Sequence, residues 1–284
     1  MVLDGALALA VPTKFGQSLE VWPTEEPKIL WQSLDEKGAV WYQDEFKIGQ
    51  TISSSNNSEV SKRLVELFNA VKTLNPNSLN PNKGFKVIAS LGFPKNWGLG
   101  SSSTLINNIA QWTNVNAFQL LKKTFGGSGY DIACAQNNSA LTYRLQNGMP
   151  VVKLVDFNPS FKEHIYFVHL NKKQNSREGI KHFHENKGNS NALISEINSI
   201  TQSMLSAKTL QDFNALIELH ETLIGNITKQ TPVKTLFFKD FEGRVKSLGA
   251  WGGDFVLATS KTNPTAYFKS KGLNTVIPYS KMVL

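Results

Sequence analysis

The residues best suited to chemistry stand in one segment, Pro94-Lys95-Asn96-Trp97-Gly98-Leu99-Gly100-Ser101-Ser102-Ser103-Thr104. Glycines let a backbone approach an anion closely. A helix beginning after them would add free N–H groups and the positive end of its dipole, and the hydroxyls add donors or a magnesium ligand. Those properties describe a phosphate site. A flexible loop followed by a Ser/Thr helix cap uses the same residue types, so the segment alone leaves both readings open. No Gly-Lys-Ser/Thr ending is present, which excludes a P-loop, and the glycine spacing is not that of a dinucleotide fingerprint.

Two further segments carry glycines beside a carboxylate. Gly127-Ser128-Gly129-Tyr130-Asp131-Ile132-Ala133 lies downstream of the first, and Lys246-Ser247-Leu248-Gly249-Ala250-Trp251-Gly252-Gly253-Asp254 lies near the C-terminus. Taken singly, Asp131 and Asp254 read as turn or cap residues. Taken in order, the three segments resemble the motifs of the GHMP kinases, the superfamily of galactokinase, homoserine, mevalonate and phosphomevalonate kinases. The first is similar to its P-x-x-x-G-L-x-S-S-A/S phosphate motif. The second is similar to its Gly-Ser-Gly-x-Asp segment and the third to its C-terminal K-P-S-G-A-G-G-G-D motif, both in forms that lean towards the mevalonate and phosphomevalonate branch. Val2-Leu3-Asp4-Gly5-Ala6-Leu7-Ala8-Leu9-Ala10 also resembles the latter half of the family's first motif.

The resemblance implies an α+β, two-lobed fold of mixed sheets with helices packed on one side of each. Residues 1–158 would form an ATP-binding lobe and residues 159–284 a C-terminal lobe. It implies an ATP-dependent kinase, with mevalonate or phosphomevalonate as the expected acceptor and a sugar or homoserine kinase as the alternative. Gly98, Leu99, Gly100, Ser101, Ser102 and Ser103 would cradle the ATP phosphates, with Ser102 on Mg²⁺. Asp131 would orient or deprotonate an acceptor hydroxyl, or act by hydrogen bonding if the acceptor is a phosphate. Gly249, Ala250, Gly252 and Gly253 would allow close backbone contact near the transferring phosphate, with Asp254 bracing the turn. Expected partners are a small-molecule acceptor, with no nucleic acid and no membrane; a homodimer is allowed.

Three departures bear on activity. The family's first strand, with its Gly-Lys and Gly-Glu pairs, has no counterpart before Val2, Trp251 stands where glycine is usual, and Ala117–Lys123 holds no carboxylate to bind magnesium. These motivate a competing reading as an impaired nucleotide-binding homologue. A related decarboxylase is a third class, though its serine-containing motif differs.

Other candidates are blander. His220 falls on the apolar face of a helical pattern and reads as a core histidine, Cys134 as a buried small residue, and Trp97 as either adenine-lining or core. His164, His169, His182 and His184 have no carboxylate or cysteine at metal spacing.

The elements that must position these residues follow from periodicity. Apolar residues at Val60, Leu64, Leu67, Phe68 and Val71 predict a helix over 59–74, stopped by Pro76. Strands are expected at Leu7–Val11, Lys14–Trp22 and Phe85–Leu91. The first glycine-rich segment therefore sits between a strand and a helix marked by Leu105, Ile106, Ile109 and Trp112, with another helix about Ala117–Leu121. Leu141–Leu145 and Val151–Phe157 predict strands turning at Asn147-Gly148. A strand over 164–170, a polar stretch over 171–191 expected to be mobile, helices over 192–205 and 210–227, and strands over 245–248 and 255–259 complete the chain. This irregular mixture favours α+β over a doubly wound sheet.

Composition sets the outer bounds. The 284 residues carry 30 Lys and Arg against 22 Asp and Glu, a formal charge of +8. With 40% hydrophobic and 18% charged residues the chain is not disordered. The cations are scattered rather than clustered, which argues against nucleic acid and is compatible with drawing anionic metabolites into a cleft. A single cysteine excludes a disulfide framework and Cys-rich metal sites, and no apolar run approaches a membrane span, so a cytoplasmic location is expected.

Overall fold

The computed structural model describes residues 1–172, 180, 181, 183, 185, 191–249, 251 and 253–284. They form two compact units. Unit A comprises Phe15–Lys95 and Gly100–Gln136, and unit B comprises Met1–Lys14, Asn96–Leu99 and Asn137–Leu284.

Unit A is a five-stranded mixed sheet with helices on one face. Its strands are β2 (Gln17–Thr24), β3 (Lys28–Leu34), β4 (Val40–Ile48), β5 (Ile52–Ser53) and β6 (Gly84–Leu91), following β1 of unit B in the chain. They lie in the order β2-β6-β3-β4-β5, with β3 and β6 parallel and the other pairs antiparallel. Helix α1 (Glu59–Leu74) forms where expected. Ser58 caps it by accepting the Ser61 N–H at 3.2 Å, and Leu64, Leu67, Phe68 and Val71 bury one face. Phe68 meets Trp31 and Phe46 edge-on at 5.9 and 5.3 Å, all three being buried, so Phe68→Ala would cost roughly 3–5 kcal/mol. Helices α2 (Ser101–Thr113), α3 (Ala117–Lys123) and α4 (Tyr130–Ala135) complete this core through Ile106, Ile109, Leu120 and Ile132.

Unit B holds two antiparallel sheets. One is β1 (Ala8–Ala10), β7 (Leu141–Gln146) and β8 (Met149–Leu154) in the order β1-β7-β8. The β7–β8 turn has positive φ at Asn147 (52°) and Gly148 (73°), the twist a two-residue hairpin requires. Val155 N–H donates to Ala140 C=O, so the alternation leaves the backbone groups of Pro150, Val152 and Leu154 at the sheet edge, where a proline's missing donor is tolerated. The other sheet runs β10 (Arg244–Ser247), β11 (Phe255–Thr259), β9 (Ile165–His169), β12 (Val276–Pro278) in space. Helices α5 (Asn191–Ser206), α6 (Leu210–Thr228), α7 (Val233–Phe237), α8 (Thr265–Ser270) and α9 (Tyr279–Met282) accompany them. Val168, Phe238, Phe241, Val256 and Phe268 form a core against the second sheet.

Among the described residues the parallel pairing, β3 with β6, lies in the unit A sheet, and two further features depart from expectation. The hairpin at 141–154 groups with the C-terminal residues rather than with an N-terminal lobe ending at 158: β1 pairs with β7, and Leu7 is hydrogen-bonded to Asn198 and Thr201 on α5. Finally, β3 and β4 lie in a region that periodicity left unassigned. Most of the polar stretch expected over 171–191 lies outside the described residues. Among those described, no helix is long and apolar enough to cross a membrane.

Candidate active site

In unit A the glycine-rich segment becomes a helix start. Gly100 adopts φ 70°, the left-handed region where a side chain is strained, and precedes α2. Ser103 and Thr104 donate their N–H groups back to Gly100 C=O at 2.9 and 3.0 Å, while those of Ser101 and Ser102 open the first turn and have no intrahelical acceptor. Ser102 is exposed, and Ser101 and Ser103 are half-buried. The helix is held to β2 from two sides: Thr104 Oγ1 donates to Gln17 Oε1 at 2.7 Å, and Asn108 Nδ2 to Gln17 C=O at 2.8 Å.

Asp131 sits beside that loop. It occupies the first turn of α4, whose Ile132 and Ala133 are anchored in the core and whose Gln136 donates to Asn107 on α2 at 3.1 Å. A Cβ built at Gly100 would stand 3.4 Å from the Asp131 carboxyl carbon and 3.6 Å from Oδ1. Burial pushes this carboxyl up to about 6, opposed in part by a hydrogen bond from Tyr130. A carboxylate tuned near neutrality and placed next to donors for an anion has the chemistry of a general base or an orienting group. Cys134, one turn on and half-buried, is pushed up to about 12 by burial and by the Asp131 charge, which disfavours its thiolate.

In unit B the first half of the same segment meets the C-terminal motif. Gly98 (φ 66°) leaves no room for a side chain, because a Cβ there would overlap the Asp254 carboxyl group. Asp254 itself lies at φ 52°; its N–H donates to Lys172 C=O at 2.6 Å and its C=O accepts from Leu170 at 2.8 Å. Gly249 also has positive φ (56°), and Gly253 is buried. Ala250 and Gly252 lie outside the described residues. Trp251 takes φ 61° with its ring buried, and its Nε1–H has no hydrogen-bond partner among the described residues. Trp97 packs edge-on against Phe255 at 5.4 Å, with its ring centre 6.4 Å from that of His169.

Sequence reasoning missed one polar cluster. Lys246, which opens the C-terminal motif, extends its Nζ to His220 Nδ1 (3.0 Å), Glu221 Oε1 (3.3 Å) and Ser247 C=O (3.3 Å). Burial lowers the lysine and raises the glutamate from their ordinary values, while burial and the nearby ammonium hold His220 down at about 2. His220 is thus a neutral, satisfied histidine. The signal was available, since Lys246 begins the motif and Glu221 stands next to a histidine on the inward face of α6.

Among the described residues no three His, Cys, Asp or Glu side chains gather as a metal site. Magnesium needs no such cage when phosphates and water supply most of its ligands, so the exposed Ser102 hydroxyl, beside the open N–H groups of the α2 start, would fit that ion. A cavity of about 730 Å³ in unit B, among Lys14, Asp156, Lys162, Tyr279 and Leu284, contains none of the motif residues.

No known family model matches the sequence, and no curated protein matches it. Solved structures do match. A mevalonate kinase from Methanococcus jannaschii aligns at 17% identity and TM-score 0.67, over 97% of this chain and 92% of that one. A Streptococcus pneumoniae phosphomevalonate kinase, solved with phosphomevalonate and AMPPNP, aligns at 14% identity and 0.65, over 100% and 93%. A Lactococcus lactis galactokinase with bound galactose aligns at 15% identity and 0.61, over 94% and 83%. At these identities the likeness is one of fold, and it is the fold that the three ordered motifs implied.

Proposed function

We propose that this chain, which has the fold of the GHMP kinases, is an ATP-dependent kinase of a small anionic metabolite, with mevalonate or phosphomevalonate as the acceptor. The observation that carries the reading is the Asp131 carboxyl standing close to the Gly100 backbone, beside the opening turn of α2. Phosphoryl transfer requires donors for the phosphates and a group that orients the nucleophile, and this pair supplies both. In this mechanism the N–H groups at Ser101 and Ser102 hold ATP phosphate oxygens. The Ser102 hydroxyl would hold Mg²⁺, which when bound neutralises charge on the phosphates. Asp131 accepts the proton of an acceptor alcohol; for an acceptor that is already a phosphate, it hydrogen-bonds and positions it. The net positive charge favours an anionic acceptor.

A second reading, an impaired homologue that binds nucleotide without turnover, is favoured by Trp251 at positive φ in a loop where the resemblance calls for glycine. The discriminating experiment measures ADP release with Mg-ATP and a panel of mevalonate, phosphomevalonate, homoserine and simple sugars. Turnover of one acceptor, abolished in Asp131→Ala, establishes the kinase. Measurable ATP binding with no turnover of any acceptor would favour the impaired homologue instead.

A further inference from the structure

We propose that His169 and Asp254 are positioning residues that staple the first half of the glycine-rich loop to the end of the central β9–β11 strand pair. The staple itself stands on geometry; its consequence for ATP rests on the kinase reading.

Three consecutive loop residues are gripped by His169 at the end of β9, Phe255 at the start of β11 and Asp254 just before it. At Asn96, the backbone C=O lies 3.1 Å from His169 Nε2; a carbonyl only accepts, so Nε2 carries the proton and donates. At Trp97, the indole packs edge-on against Phe255, the residue directly opposite His169 in the β9–β11 ladder. At Gly98, the Asp254 carboxyl fills the space a side chain would take. Asp254 is in turn fixed by backbone bonds to Lys172 and to Leu170, the residue after His169. His169 is itself 2% exposed, so a donor is held in the interior and directed to a loop carbonyl.

The consequence follows from the loop's composition. With positive φ at Gly98 and again at Gly100, the segment has much conformational freedom to lose when it closes on an anion. Fixing residues 96–98 beforehand removes part of that cost. His169 is buried against the loop, so its loss should act on ATP affinity more than on the chemical step.

The test uses the whole chain. Lys95 is exposed immediately before the staple, and Lys86, inside strand β6 between β2 and β3, is cleaved only when the sheet opens and so serves as a reference for unfolding. Tryptic cleavage after each lysine is followed in wild type, His169→Ala and His169→Gln without ligand, alongside ATP kinetics. In His169→Ala, cleavage after Lys95 rises about fivefold to tenfold, as expected for one lost buried hydrogen bond, while cleavage after Lys86 does not change. The glutamine amide can donate where Nε2 did, so His169→Gln restores the slow rate. KM for ATP rises by the same factor in His169→Ala, with kcat within twofold. Unchanged cleavage after Lys95, equal acceleration at both lysines, no rescue by glutamine, or an unmoved KM would each overturn the proposal. A wild type that shows the Lys95 pattern but turns over no acceptor would sink the kinase reading and leave the staple standing.

Discussion

The Asp131 carboxyl lies within a methyl group's reach of the Gly100 backbone in unit A, though thirty-one positions separate them in the chain. This approach exists because α2 and α4 share a core through Ile106, Ile109 and Ile132, and because Gln136 on α4 binds Asn107 on α2. It places an ionisable group where burial is incomplete but costly, next to donors that favour an anion.

That placement predicts a pH profile. With its carboxyl raised to about 6 from 3.8, Asp131 is protonated in the folded chain over a range in which it is ionised in the unfolded one. Its contribution to stability is therefore full below about pH 4 and lost as pH rises through 6. Asp131→Asn, which cannot ionise, should melt a few degrees above wild type at pH 8 and lose that advantage by pH 4. If Asp131 is the base, kcat/KM rises about tenfold per pH unit below 6 and levels off above it. Equal melting temperatures across the range would refute the assignment of a raised carboxyl.

Gly98 and Gly100 both take positive φ, but their surroundings differ. At Gly100 a methyl group meets Asp131 at an ordinary 3.4 Å, so Gly100→Ala should cost mainly the left-handed strain, roughly 1–2 kcal/mol. At Gly98 the methyl overlaps the Asp254 carboxyl group, and overpacking adds about 1–3 kcal/mol. Urea denaturation of both variants checks the order. The double variant Gly98→Ala/Asp254→Gly should recover the overpacking part, giving a coupling that a simple backbone penalty would not.

Lys246 and Glu221 form a nearly dry ion pair, their side chains being 16% and 5% exposed. Lys246→Met would leave the glutamate buried without its cation, at a cost of about 3 kcal/mol. Replacing both, as Lys246→Met/Glu221→Leu, should cost less than the sum of the single changes. In Lys246→Met, His220 should titrate above its present value of about 2 yet remain below the ordinary histidine range, because burial is the larger of its two causes. A His220 resonance moving to the ordinary range would mean the lysine had dominated.

Legibility in the sequence followed how local each determinant is. Helix α1, with a serine cap and a 3.6-residue stripe, and the β7–β8 hairpin, with Asn147-Gly148, were readable because a few neighbouring residues fix them. Strand β4 was hidden. Its inward positions include Asp44, a carboxylate that accepts from Tyr42, Ser54 and Ser61 at 2.7–3.0 Å, and this breaks the apolar alternation. The glycine-rich segments were legible as motifs. The approach of Asp131 to Gly100, that of Asp254 to Gly98, and the ring of acceptors about Lys246 depend on tertiary packing that no short window contains.

Ser102 offers the last test. As the second residue of α2 it is exposed, and α2 is capped by the Gly100 backbone rather than by a serine side chain. Ser102→Ala therefore should not lower the melting temperature, since alanine is at least as good in a helix. If the hydroxyl holds magnesium on the ATP phosphates, removing it leaves fewer ligands from the protein, and the ion must be driven on by concentration. The Mg²⁺ level for half-maximal turnover should then rise about tenfold, a change of the size expected for one lost charge-assisted contact. The Ser101→Ala and Ser103→Ala variants, whose side chains are half-buried, should shift it far less. An unchanged magnesium requirement in Ser102→Ala, with turnover intact, would move the metal role to another group.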